Sequence, residues 1–158
     1  MVSFNGDEAG FRRRIAELEA KLAALQQEQE RATIALAQSG VGVFDWQLDA
    51  HQIYLSPILH AMLGYAHEPM PGNIESWLSH LHAEHLFRAE KEVREALVYG
   101  AESFEGLYKI NRKDGATRLF LFRAVIMRRS RADGGDPSRV LGTAVDVTGV
   151  PDIIKDLA

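Results

Sequence analysis

The chain has 158 residues, 46% hydrophobic and 25% charged, the mix of a soluble globular protein of about one domain and not of a disordered tail or a fibre. Its net charge of −4 argues against a nucleic-acid binder that relies on a broad basic surface. The absence of cysteine removes disulfides, thiolate metal sites, iron–sulfur clusters, Cys nucleophiles and flavin–cysteinyl photochemistry. No apolar run reaches the roughly 18–20 residues of a membrane helix, and the N-terminus lacks a basic-then-apolar signal, so a cytoplasmic protein is expected.

Residues 8–38 lack Pro, lack Gly after Gly10, and are rich in strong helix formers. Apolar positions step by 4 and 3 through Phe11, Ile15, Leu18, Leu22, Leu25, Ala32 and Leu36, with Gln29 in one seam position. Ile15, Leu22, Gln29 and Leu36 fall at a; Leu18, Leu25 and Ala32 fall at d. In a parallel pair Arg14 faces Glu19 of the partner. The narrow stripe favours a two-chain seam over a helix lying on its own domain, and residues 1–38 are predicted to be a dimerisation helix.

Ser39-Gly40 ends the helix. Residues 43–48 alternate, with Phe44, Trp46 and Leu48 on one face, as in a strand. Asp49-Ala50-His51 reads as a turn, and Gln52 to Leu55 completes a hairpin. Ser56-Pro57 starts a short helix ending at Gly64, with Ser56 as its cap. Ile74, Trp77, Leu78 and Leu81 form a helical stripe, and a longer helix runs from Ala83 to Tyr99. Three strands follow, 104–111, 117–128 and 139–148, the first two joined by the turn Lys113-Asp114-Gly115. Leu119-Phe120-Leu121-Phe122 is apolar on both faces, which predicts that both are covered, one by the central helices and the other by the N-terminal helix or a second subunit. The order of elements predicts an α+β fold with one five-stranded antiparallel sheet. Pro151 to Leu157 reads as the start of an exit helix.

Five stretches, in this order, resemble the PAS family, and most closely its PAS/PAC subclass. They are Val43-Phe44-Asp45-Trp46-Gln47-Leu48, Leu55-Ser56-Pro57 running to Met62-Leu63-Gly64-Tyr65, Leu81-His82-Ala83-Glu84-His85, Tyr108 to Gly115 with its Arg-Lys-Asp-Gly hairpin, and Asp146-Val147-Thr148. Ala83 and His85 replace the Pro and Asp usual in the family, and Leu119 stands where Trp is common. The resemblance covers residues 32–148. It implies a PAS sensory domain over 39–148 and a linker helix beginning at 149–158. It further implies a signal-transduction module, not itself an enzyme, attached to an output domain of histidine kinase (two-component) or diguanylate cyclase type.

The aromatic residues Phe44, Trp46, Tyr54, Trp77, Tyr108, Phe120 and Phe122, with the adaptable side chain of Met62, are the candidates for lining a ligand pocket between sheet and helices; the competing reading is a filled core. Asp146 and Thr148 are the candidates for coupling the sheet to the exit helix, or for merely capping that helix. His80, His82, Glu84 and His85 form the densest polar cluster. His82 and His85 share a helix face, but the zinc-hydrolase spacings are missing, and a helix start with Glu84 favouring the dipole is preferred over a metal site. No metal is expected. The long-helix stretch Arg88-Ala89-Glu90-Lys91-Glu92 lacks the His that holds haem in some PAS domains, and non-covalent flavin has no positive sign, so no cofactor is expected, and an unidentified small ligand is left open. Arg128, Arg129 and Arg131, with Arg112, Lys113, Arg118, Arg123 and Arg139, give a basic hairpin end that reads as a solvated face. A ligand-binding homodimeric sensor is therefore expected first, a ligand-free PAS dimerisation and relay scaffold second, and a free-standing enzyme last.

Overall fold

In the computed structural model, residues 5–129 and 135–150 are described, and the chain separates into two compact units, 1–39 and 40–158. The first is α1, Asn5–Gln38. Its apolar stripe lies open: Phe11 is 62% exposed and Leu25 69%, and Ile15, Leu18 and Leu22 are exposed with them. Gln29 and Ala32 are exposed too, and Leu36 is half-buried. The charged flanks pair within the helix, Arg12 with Glu8, Arg14 with Glu17 and Arg31 with Glu28. Such exposed pairs add only a few tenths of a kcal/mol each, about 0.2–0.5.

The second unit is built on β1 (Val41–Gln47), β2 (Gln52–Leu55), β3 (Ser103–Asn111), β4 (Thr117–Arg128) and β5 (Pro137–Asp146). They form one antiparallel sheet in the order β2-β1-β5-β4-β3. The short helices α2 (Pro57–Met62) and α3 (Ile74–Leu78) and the longer α4 (Ala83–Val98) come between β2 and β3 in the chain. Strand alternation sends Phe44, Phe120, Phe122, Ala124 and Ile126 inward, where they join Leu59, Leu63 and Ile110 in the core. On the other face Leu119 and Leu121 are half-buried, while Val125 and Met127 are 49% and 41% exposed. The hairpin at Lys113-Asp114-Gly115 closes with Gly115 at φ +85° and Arg112 N–H donating to Ala116 O at 2.8 Å.

Three details differ from the sequence expectation. β5 begins at Pro137, a place where the missing N–H costs no ladder bond, and ends at Asp146. Ser56 precedes α2 in extended conformation but does not cap it: its Oγ accepts from Val43 N–H at 2.9 Å, and its own N–H donates to Val43 O. Ser56 thus prolongs the β1–β2 pairing. Arg128 is not a solvated charge. Its guanidinium donates to Leu97 O at 2.9 Å and to Ala96 O where α4 ends, and to Gly135 O just before β5. Arg131 and the exit helix 151–157 lie outside the described residues.

Candidate functional site

Between the concave face of the sheet and the helices lies a cavity of about 340 Å³. Phe44 and Trp46 reach it from β1, Phe104 and Tyr108 from β3, Phe122 from β4 and Trp77 from α3. The register explains this. Trp46 pairs with Ile53 on one side and Val140 on the other, and all three face inward. One pair further along β1, Phe44 sits opposite Gly142. A Cβ at Gly142 would stand 2.5 Å from the Phe44 ring and hard against the Arg123 carbonyl, so the missing side chain is what lets Phe44 lie across β5. Gly106 likewise leaves room for the Tyr108 ring. Trp77 at 5.5 Å and Phe44 at 6.1 Å meet Phe122 edge to face, Tyr108 is tilted against Phe122, and Phe104 and Tyr108 stack.

The candidate list is thereby divided. Phe44, Trp46, Trp77, Tyr108 and Phe122 share the cavity wall. Tyr54 does not. Because Ile53 takes the inward place opposite Trp46, Tyr54 points to the other face, opposite Asp45, and is 58% exposed. Phe120 faces inward but is sealed in the packed core with no exposed surface, and Met62 packs half-buried against that core without reaching the cavity. The sequence reading missed the rim. Glu90 and Arg94, one turn apart on α4, stand at the cavity with Ala89, Val93 and Leu97. Both stand one helical position from an apolar wall residue, Glu90 after Ala89 and Arg94 after Val93, so the phase of the 83–99 helix could have found them.

Polar groups around the cavity are few and mostly engaged. Tyr108 O–H donates to the Glu92 carboxylate, and the Arg88 guanidinium lies 4.9 Å from the Tyr108 ring centroid. Burial and the neighbouring Glu92 carboxylate push the phenol pKa well above its usual value, so Tyr108 stays a donor. Trp46 Nε1, buried, has no partner among the described residues.

The histidine cluster has a different task. β3 is an edge strand, and its free side is occupied by the segment leading into α4. Asn111 N–H donates to His80 O at 2.7 Å and His82 N–H to Lys109 O at 2.9 Å. Lys109 N–H donates to His85 Nδ1 at 2.8 Å, and Arg88 donates to Leu107 O at 2.6 Å. Side chains of α4 thus take the place of a further strand and cover the edge. His82 Nδ1 accepts from Glu84 N–H and caps α4. His80, 7% exposed, bridges Tyr65 O–H (3.0 Å) and the Asn111 carbonyl (2.8 Å). Burial, and next the Arg88 charge, hold the His85 pKa below its usual value. Lys109, hydrogen-bonded to Glu84, lowers that carboxyl. Among the described residues no three His, Asp or Glu side chains are grouped to hold a metal ion.

At the far end of β5, Leu119 N–H donates to Thr148 Oγ1 at 2.8 Å, and Thr148 Oγ1–H donates to Asp146 Oδ1 at 2.5 Å. Asp146 Oδ1 also accepts from Thr148 N–H at 2.9 Å. The two predicted exit residues are therefore tied to each other and to β4.

A family model described as PAS fold matches residues 52–144, more than half of the chain. The chain belongs to the PAS family. Among solved structures, a sensory box histidine kinase/response regulator from Burkholderia thailandensis matches with a TM-score of 0.64 at 23% identity, covering 80% of this chain and 92% of that one. The N-terminal domain of a diguanylate cyclase with PAS/PAC sensor from Marinobacter aquaeolei matches at 0.58 and 18% identity, covering 68% and 95%. These two establish the fold. A curated relative, the non-motile and phage-resistance protein of Caulobacter vibrioides, is 23% identical over 120 residues. The match spans 76% of this chain but only 14% of that relative's length. Among the described residues no helix is long and apolar enough to cross a membrane.

Proposed function

We propose that this chain is the sensory part of a larger cytoplasmic signalling protein. It binds a small molecule in the cavity, pairs with a second copy through α1, and relays occupancy to an output domain of histidine kinase or diguanylate cyclase type. The observation that carries the reading is the 340 Å³ aromatic cavity itself, within the roughly 300–1,000 Å³ range of small-molecule sites. A scaffold that only relayed position would gain stability by filling it. The chain itself performs no catalysis in this account. Flavin adduct chemistry needs a cysteine the chain lacks, and no histidine reaches the cavity to hold haem iron, so the purified protein is expected to be colourless.

Relay is assigned to the hydrogen-bonded chain Leu119–Thr148–Asp146, which fixes how the polypeptide leaves the sheet. A ligand that binds one of two arrangements of similar energy more tightly selects it, and the exit follows. The test is Asp146→Ala in the full-length protein. Output is expected to lose its response to the stimulus while the melting temperature of the sensor shifts by only a few degrees. Retention of normal regulation would remove the coupling role from this junction.

A further inference from the structure

We infer that the seam between β3 and α4 is a proton-operated latch: protonation of His85 unlaces α4 from the strand edge and shifts the helical wall of the cavity. The latch acts on that wall whether or not the cavity holds a molecule, so it stands apart from the ligand reading above.

The first observation is how α4 is held. Ala89 is buried, and the other residues of α4 are half-buried or exposed. The grip of the helix on β3 is polar and follows one stripe. His85, Arg88 and Glu92 reach in turn the Lys109 N–H, the Leu107 carbonyl and the Tyr108 hydroxyl. Ala89, Val93 and Leu97 form the adjoining stripe and line the cavity, and Glu90 and Arg94 stand exposed beyond them. Among the described residues no hydrogen bond or ion pair joins α4 to α3, and the ion pairs within α4 are Arg88–Glu92 and Lys91–Glu95. Arg128 holds the carbonyls of Ala96 and Leu97. The helix is thus fastened along the β3 edge and at its C-terminal end, and is unfastened on the side of α3.

The second observation is the group at the start of the polar stripe. Lys109 N–H donates to His85 Nδ1 at 2.8 Å, and this needs a lone pair on Nδ1. An imidazolium has none, because both of its ring nitrogens are donors. The proton and the contact therefore exclude each other. The groups that face the ring are Glu84 and Arg88 on α4, His82 just before it, and Lys109 and the Tyr108 ring on β3. Arg88 and Lys109 oppose an added charge, and Glu84, which favours it, is already bound by Lys109. Parting α4 from β3 lets the charged ring meet water and relieves this cost. His85 also stands where the PAS pattern usually has Asp, so the contact belongs to this chain. Movement at this point reaches the cavity directly. Arg88 lies over the Tyr108 ring and Glu92 holds its hydroxyl, while Tyr108 and Ala89 are both on the wall.

Proton linkage sets the size of the effect. An unlaced His85 titrates near the ordinary 6.5, so the unlaced state should gain up to about tenfold in population between about pH 7.5 and about pH 5.5. Native-state hydrogen exchange of the intact chain reads the Lys109 amide, and acrylamide quenching reads Trp46 and Trp77, both on the cavity wall. The Lys109 protection factor is expected to fall by up to about tenfold over that interval. Quenching should steepen with the same midpoint as the His85 ring signal followed by NMR. In His85→Asn both should stay level. Quenching that does not change while His85 titrates in the unaltered chain overturns the latch, whether or not the variant folds. A pH response that persists in His85→Asn overturns it as well, and so does a Lys109 amide that opens while both tryptophans stay shielded.

Discussion

The two units of this chain solve the problem of apolar surface in opposite ways. In the sheet unit, inward residues such as Phe120, Leu59, Leu63 and Ile110 are wholly enclosed by their own domain. In α1, Phe11, Ile15, Leu18, Leu22 and Leu25 are as apolar and yet stand more than 40% exposed. A sheet and helices from one chain close around a core without help. A single helix has only its backbone bonds and a few exposed ion pairs, and its stripe is satisfied only against another surface. Burying each such side chain is worth about 1.5–3 kcal/mol, so the seam has ample drive for association. Under the proposed function, assembly and sensing reside on separable parts of the molecule, and this separation can be attacked from either side.

The largest effect is expected in the seam. Leu22→Asp places a charge at an a position and should raise the dimer dissociation constant by about 100-fold or more. Sedimentation velocity should show a monomer whose sheet unit melts at an unchanged temperature. A variant that still sediments as a tight dimer would assign the interface elsewhere, with the exposed outer face carrying Val125 and Met127 the first alternative.

The second effect is expected in the sheet and should leave assembly alone. Gly142→Val forces a side chain against the Arg123 carbonyl and the Phe44 ring. Because the backbone oxygen cannot rotate away, the cost should reach about 2–3 kcal/mol in urea unfolding. A loss under about 0.5 kcal/mol would mean that β5 and Phe44 are less closely packed than described.

A smaller effect concerns the β3 edge. His85 accepts a backbone N–H only when its Nδ1 is unprotonated, and its folded pKa is depressed. The unfolded chain therefore binds the proton more readily, and stability is fully present above the ordinary value of 6.5 and declines as pH falls below it toward the folded pKa. His85→Asn keeps an acceptor that cannot titrate in this range and should flatten that part of the stability–pH curve. The lowered Glu84 gives a slope of the same sign at more acidic pH, below 4.5, in both proteins. An unchanged slope between the two near neutrality would remove His85 from the account.

What could be read beforehand follows the range of the interactions. The first strand was legible because Phe44, Trp46 and Leu48 alternate within a few residues, and the 113–115 turn because Gly115 must adopt positive φ. The PAS resemblance supplied the fold that periodicity alone leaves open. Tyr54 was misplaced because Ile53, Tyr54 and Leu55 are all apolar, and only the pairing of Ile53 with Trp46 decides which of them face inward. His85 finds its partner at Lys109 and Arg128 at Leu97, both far along the chain, so neither role has a local signature. Gly106 and Gly142 did leave a trace, as glycines at inward positions of otherwise regular strands.

Native mass spectrometry of two proteins, the whole chain and one beginning at Gln38, tests the division of labour most directly. The account predicts a two-chain ion for the first, and for the second a single-chain ion with the narrow, low charge-state distribution of a folded protein. A shortened chain that remains paired, or that shows the broad, high charge states of an unfolded chain, would contradict it.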